Sequence, residues 1–304
     1  MKTIGFDWPV GHKSSHPPTA YILVAPIALF SWPAASSAWA LLMIGCNMAS
    51  LKLLGANLAR AIGLGLLVLL WPPAAMSLGQ LTPIWLLGLA LAYRERNGNA
   101  FVSGIYVGIS SLPKILSGII LVPFIAKRKW SAVFGFILVW IVALSIMSTL
   151  IPSALSQYLV ANFGNANSDN ANSVNAILRS DNGAFLAVMF RLVGIRGVVS
   201  GLFILMVLIV SGWRRCGEEE GWYMYSFCPV ALLPIAWIYS LFPLLPLLKN
   251  RHRNIFTISA FAITCIMPPF GIRSALIMLY VFLLFLLSFY FQLIRQFYAR
   301  CATS

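Results

Sequence analysis

The chain has 304 residues, of which 60% are hydrophobic and 9% charged, with a mean hydropathy of +0.88 and a formal net charge of +14. A soluble domain carries about 25% charged residues, so this composition excludes an ordinary water-soluble enzyme. Nucleic-acid binding is excluded as well, because the basic residues do not line one face but stand at the ends of apolar runs. They cluster as Arg94/Arg96, Lys127-Arg128-Lys129, Arg214-Arg215, Lys249/Arg251/Arg253 and Arg295/Arg300, the pattern of cytoplasmic loops in a polytopic membrane protein.

A membrane-spanning helix needs about 20 apolar residues. In chain order, residues 19–31 are short for a span and end at Trp32-Pro33, so they cross thinly or re-enter. Residues 34–53 make a good span. Residues 62–71 approach the outer face, "SLGQLTP" turns there, and 84–93 return to Arg94. Residues 100–126 lie between two basic clusters and read as a hairpin broken at "SSLPKIL".

Residues 131–151 then run outward to an outer-face polar loop, 153–195. Its island "NFGNANSDNANSVNAILRSDNG" is rich in asparagine, and such side chains hydrogen-bond sugar hydroxyls without adding net charge. A solvated connector is the plainer reading of the same composition. Residues 197–213 return to Arg214-Arg215. Residues 222–248 cross twice or re-enter, with Pro229, Pro234, Pro243 and Pro246 breaking the helices. Residues 255–267 run out, Pro268-Pro269-Phe270-Gly271 turns, and 274–293 come back, leaving the C-terminus cytoplasmic. The expectation is an all-α, polytopic chain of about nine or ten membrane segments forming one transmembrane domain over residues 1–304. Residues 1–18 form an outer segment. They hold no signal peptide, since no apolar core follows Lys2.

Cys46, Cys216, Cys228, Cys265 and Cys301 show neither metal-ligand spacing nor a disulfide framework. No phosphate-cradling glycine loop, nucleophile elbow or HExxH site is present. The informative residues are charges where charge is costly. Lys114 lies within an apolar run, where insertion costs about 2.5–3.5 kcal/mol, and Pro113 breaks the helix beside it. The bland alternative is a lysine snorkelling to the interface. Arg179, Arg191, Arg196 and Arg273 fall on the predicted outer face, against the usual bias, and an arginine fork suits a lipid phosphate there. Pairing with headgroups, or with Asp169 and Asp181, is the alternative. Of the seven acids, Asp7, Asp169 and Asp181 are the three on the outer face and so the candidate bases.

The segments "SHPPTAYILVAPIALF" and "GQLTPIWLLGLALAYRERNGNAFVSGIYVGISSLPKILSGIILVPFIAKRKW" resemble the polyprenol-phosphate-mannose-dependent mannosyltransferases, integral membrane enzymes of GT-C architecture. The resemblance covers about residues 14–250 and rests on the order of its motifs. These are His16-Pro17-Pro18, Gly79-Gln80, the basic turn 94–96, a small-residue helix ending at Lys114, and the turn 127–130. In part they also include Asn172-Ser173 with Arg179, and Trp237 with Tyr239.

The resemblance implies transfer of a hexose, with mannose expected, from a polyprenyl-phosphate donor to a hydroxyl of a glycolipid or glycan. It implies no further cofactor and no metal. The expected setting is a bacterial inner or plasma membrane, with the active site facing outside among membrane lipids. Lys114, Arg179, Arg191 and Arg273 would hold the lipid phosphate. His16, Gln80, Asn172, Ser173, Trp237 and Tyr239 would orient sugar and acceptor. The family begins with one more helix and an Asp-Tyr pair carrying the base, which "GFDWPVG" around Asp7 does not match. The expectation is therefore an N-terminally truncated first outer loop whose base lies upstream, with Asp7 the candidate base within this chain if the start is real. A lipid-linked sugar flippase and a catalytically inactive homologue are the rival readings.

Overall fold

The computed structural model describes residues 18–23, 25–70, 81–153, 156, 189–190, 193–203, 225–230, 244, 255–266 and 272–301. Every regular element among the described residues is helical. Two 3-10 turns, Pro18–Leu23 and Ala25–Leu29, lead into α1 (Trp32–Leu53), and α2 (Leu58–Leu70) follows. Next come α3 (Thr82–Glu95), α4 (Ala100–Ser111), a 3-10 helix (Ile115–Leu121), α5 (Val122–Ala126) and α6 (Trp130–Leu150). The last described elements are α7 (Ile255–Ile266) and α8 (Ile272–Cys301).

Local chemistry sets the boundaries. Proline stands in the first turn of α1, α3 and α5, where its missing N–H costs nothing. Asn99 caps α4 by accepting from the Val102 N–H at 3.2 Å. After α1, Gly55 adopts φ +88 while its N–H bonds the Lys52 carbonyl and the Ala56 N–H bonds the Leu51 carbonyl. This closing motif places a left-handed residue just past the helix. The same pair of bonds closes α5, from Arg128 to Ile125 and from Lys129 to Phe124, but the left-handed position there is Arg128, at φ +55.

Helices α1 and α6, of 22 and 21 residues, are long and apolar enough to cross a membrane. Helix α6 leaves Phe134, Ile137, Ile141 and Leu150 exposed, which suits lipid and not water. Small residues bring the helices together. A Cβ on Gly104 of α4 would run into the backbone of Ala132 in α6, and one on Gly135 of α6 into that of Phe101 in α4. Close backbone approach through glycine is how helices pack where the solvent is itself apolar. One core cluster joins Met43, Trp85, Leu89, Val107, Phe124, Val230 and Phe285. These features define an all-α membrane protein.

The expected spans 34–53, 84–93 and 255–267 correspond to α1, α3 and α7. The last expected span, 274–293, lies within the longer α8, which carries on through Arg295 as one helix.

Candidate functional site: the apex of a short hairpin

Helix α4 and the segment Ile115–Ala126 form the hairpin expected from the sequence, and neither arm is long enough to cross. Twelve α-helical residues rise about 18 Å, against about 30 Å of hydrocarbon. Both outer ends of the hairpin sit at the basic turns. Lys129 Nζ donates to the Arg96 carbonyl at 3.1 Å, tying turn 127–129 to turn 96–99. Arg96 in turn donates to the Tyr93 carbonyl at 2.7 Å and lays its guanidinium 3.7 Å over the Tyr93 ring. The Tyr225 ring meets Tyr93 edge-on at 5.3 Å, which holds residues 225–230 to this basic end.

The apex of the hairpin, Leu112-Pro113-Lys114, lies beside the middle of α6. The Trp140 indole N–H donates to the Ser111 hydroxyl at 2.8 Å, and Trp140 is the central residue of α6. Ser111 also donates to the Gly108 carbonyl at 2.6 Å. The entry segment docks on the same apex, with the Thr19 hydroxyl donating to the Leu112 carbonyl at 3.1 Å. Thus the segment after Pro17-Pro18 and the helix ending before Lys114, separate motifs in the sequence, meet in space.

Lys114 itself is half-buried, with extended φ −144 and ψ 88, and its carbonyl accepts from the Ser117 N–H at 2.9 Å. Its ammonium has no hydrogen-bond or ion-pair partner among the described residues. Glu95, the one acid among the described residues, stands at the basic end of α3, away from the apex.

Helix α3 forms the neighbouring wall. The Ser103 hydroxyl donates to the Ala92 carbonyl at 2.8 Å, and a Cβ on Gly88 would lie 2.6 Å from Ser110 Cβ. This antiparallel register puts Trp85, one turn before Gly88, on the N-terminal side of the Gly88–Ser110 contact. Thr82, one turn earlier again, borders Trp85. Thr82, Trp85 and Ser117 are buried, and Thr82 Oγ1, Trp85 Nε1 and Ser117 Oγ have no hydrogen-bond partner among the described residues. Sequence reading passed over all three, since a Trp or Thr in an apolar run looks like packing. The nearest signal was the serine spacing in "GISSLPKILSG".

Of the residues singled out from sequence, Lys114 is described in full. Arg273 is placed as the second residue of α8, with no description of its side chain. Arg196 is exposed in the short helical stretch after Gly194. Asp7, His16, Gln80, Asn172, Ser173, Arg179, Arg191, Trp237 and Tyr239 lie outside the described residues, as do Asp169 and Asp181.

Lys114 at the tip of a hairpin, beside the midpoint of a helix long and apolar enough to span, is the candidate site of this all-α membrane protein. The family model for glycosyltransferase family 87 matches residues 15–236, well over half of the chain. The chain therefore belongs to glycosyltransferase family 87, a family of membrane glycosyltransferases. The matched span takes in the entry segment, α3, the hairpin and α6, and ends before Trp237. No curated protein and no solved structure matches the chain.

Proposed function

We propose that this glycosyltransferase takes a hexose, mannose in the first instance, from a polyprenyl-phosphate carrier and passes it to a hydroxyl of a glycolipid or glycan on the face opposite the basic turns. The observation that carries the reading is Lys114, a cation at the hairpin apex with no acidic partner among the described residues. A donor whose lipid tail lies in the bilayer brings its phosphate to such a site from the membrane side.

A carboxylate, with Asp7 the candidate in this chain, takes the proton of the acceptor hydroxyl. The hydroxyl oxygen attacks the anomeric carbon, and the bond from that carbon to the phosphate oxygen breaks. The electron pair leaves with the polyprenyl phosphate, and the anomeric configuration inverts. Charge grows on the leaving phosphate in the transition state, so fixed cations act most strongly there. Lys114, Arg179, Arg191 and Arg273 fill that role. His16, Gln80, Asn172, Ser173, Trp237 and Tyr239 orient the sugar and the acceptor.

Membranes carrying the full chain should transfer label from polyprenyl-phosphomannose to an acceptor lipid, and Arg179→Ala should slow the transfer. Absence of transfer from every polyprenyl-phosphohexose tried would remove the enzymatic reading and leave lipid-linked sugar movement as its successor.

A further inference from the structure

Arg128 holds a backbone position that suits glycine. Its φ is +55, in the left-handed region, where Gly55 stands in the equivalent turn at φ +88. A side chain strains such a position and glycine does not. Arg128 is exposed, and its guanidinium has no hydrogen-bond or ion-pair partner among the described residues, so the described fold gains nothing from it in return. A strained residue that the fold does not need points to a use outside the fold.

The surroundings of Arg128 are fixed. Lys129 Nζ donates to the Arg96 carbonyl and Arg96 lies over the Tyr93 ring, which ties turn 127–129 to the end of α3. The joined turns hold Arg94, Arg96, Lys127, Arg128 and Lys129 and, of the described acids, Glu95 alone. They close the open end of the hairpin, away from its apex at Lys114. An apolar stripe starts at the same turn. Trp130, Phe134, Ile137 and Ile141 follow one another at intervals of four, three and four residues, so they share a face of α6, and all four are exposed. At 1.5 Å per residue the stripe runs about 16 Å, close to half the hydrocarbon thickness of a bilayer.

We propose that Lys127 and Arg128 bind the anionic headgroup of a membrane phospholipid whose acyl chain lies along the Trp130–Ile141 stripe. Each half of the surface selects half of the ligand. The planar fork of an arginine matches the oxygens of a phosphate, and basic side chains at a membrane surface attract anionic lipid. A zwitterionic headgroup would bring an ammonium into a surplus of positive charge. A soluble anion or an acidic peptide would meet the cations and leave the stripe uncovered. Trp130 stands where the stripe meets the charge, the level at which indole rings sit in membranes.

The test uses the full chain in dodecyl maltoside micelles, which contain no phosphate. The probes are phosphatidylglycerol and phosphatidylcholine with the same acyl chains, and bound lipid is counted by native mass spectrometry. The wild-type chain should prefer phosphatidylglycerol about 25-fold, from two basic side chains worth about fivefold each. Arg128→Gly should lower the preference about fivefold, and Arg128→Lys should keep most of it. Phe134→Ala should weaken both lipids alike, because it removes chain contact and leaves the charge. The lipid-free Arg128→Gly chain should melt no earlier than wild type, since strain is relieved and no described partner is lost.

Equal binding of the two lipids by the wild-type chain would overturn the inference. So would an unchanged preference in Arg128→Gly, which would leave selectivity to other cations. Displacement of phosphatidylglycerol by glycerol 3-phosphate at comparable concentration would also overturn it and reduce the site to one for soluble phosphate. Early melting of Arg128→Gly with lipid binding unchanged would overturn it in favour of an acidic partner for Arg128 within the protein.

Discussion

The Trp140 indole donates to the Ser111 hydroxyl at 2.8 Å, and this one bond sets the tip of a short hairpin beside the midpoint of a spanning helix. Ser111 is itself satisfied through the Gly108 carbonyl. Trp140→Phe should therefore cost only the bond, about 1 kcal/mol. Ser111→Ala should cost more, because the indole N–H is left without its acceptor. Thermal unfolding of both single variants and the double variant in a double-mutant cycle measures the coupling. A coupling of zero would mean the bond does not hold the apex in place.

Lys114 is the cation that the hairpin delivers to that level. Lys114→Met keeps the length of the side chain and removes the charge. Sugar transfer should fall by about 100-fold or more, the usual loss for one group stabilising transition-state charge. Lys114→Arg should retain part of the rate. Unfolding should be no easier in Lys114→Met, since the ammonium has no partner to lose among the described residues. A variant that melts early and transfers normally when folded would show the lysine to be structural.

The contact between α4 and α6 depends on the absence of side chains. Gly104→Ala puts a methyl group into the Ala132 backbone, and Gly135→Ala puts one into that of Phe101. Backbone cannot move aside as a flexible side chain can, so each substitution should destabilise by about 1–3 kcal/mol. Gly45→Ala serves as the control, because a Cβ there meets nothing within 4 Å. Detergent-resistance or melting measurements on the three variants should separate the first two from the third.

Arg128 occupies the place that Gly55 takes in the equivalent turn, with φ +55 against +88. A side chain in the left-handed region costs about 1–2 kcal/mol. Arg128→Gly should thus be more stable than Arg128→Ala by about 1 kcal/mol, both variants having lost the same charge. Equal melting temperatures would show that the turn relaxes in the alanine variant.

The two basic turns are joined by the bond from Lys129 to the Arg96 carbonyl. In a cysteine-free background, Gly98→Cys and Arg128→Cys should therefore react with a membrane-impermeant maleimide from the same side of sealed vesicles. The charge bias predicts that this side is the cytoplasmic one. Labelling from opposite sides would break the hairpin reading of residues 100–126.

Much of this protein was readable without coordinates. Low charge and long apolar runs dictate membrane helices, because hydrocarbon accepts only backbone that satisfies itself. Pro113 between two basic clusters already signals a hairpin, since a broken helix that begins and ends at basic clusters on one side must turn back. Lys114 stood out because charge in an apolar run is costly wherever the fold puts it. The motif order around His16-Pro17-Pro18, Gly79-Gln80 and the basic turns pointed to a family of membrane glycosyltransferases, and the match over residues 15–236 agrees at the level of glycosyltransferase family 87.

What the chain's linear order withholds is which residues face each other across helices. Thr82, Trp85 and Ser117 look like ordinary members of apolar segments. That all three are buried with a polar atom unpartnered among the described residues is visible only in the packed structure. The depth of Lys114 likewise comes from a bond between residues 29 positions apart, Ser111 and Trp140. Periodicity and charge fix which segments enter the membrane, because they act along one helix at a time. Tertiary packing alone decides which buried polar groups find a partner, because satisfaction of a buried donor depends on its neighbours in space.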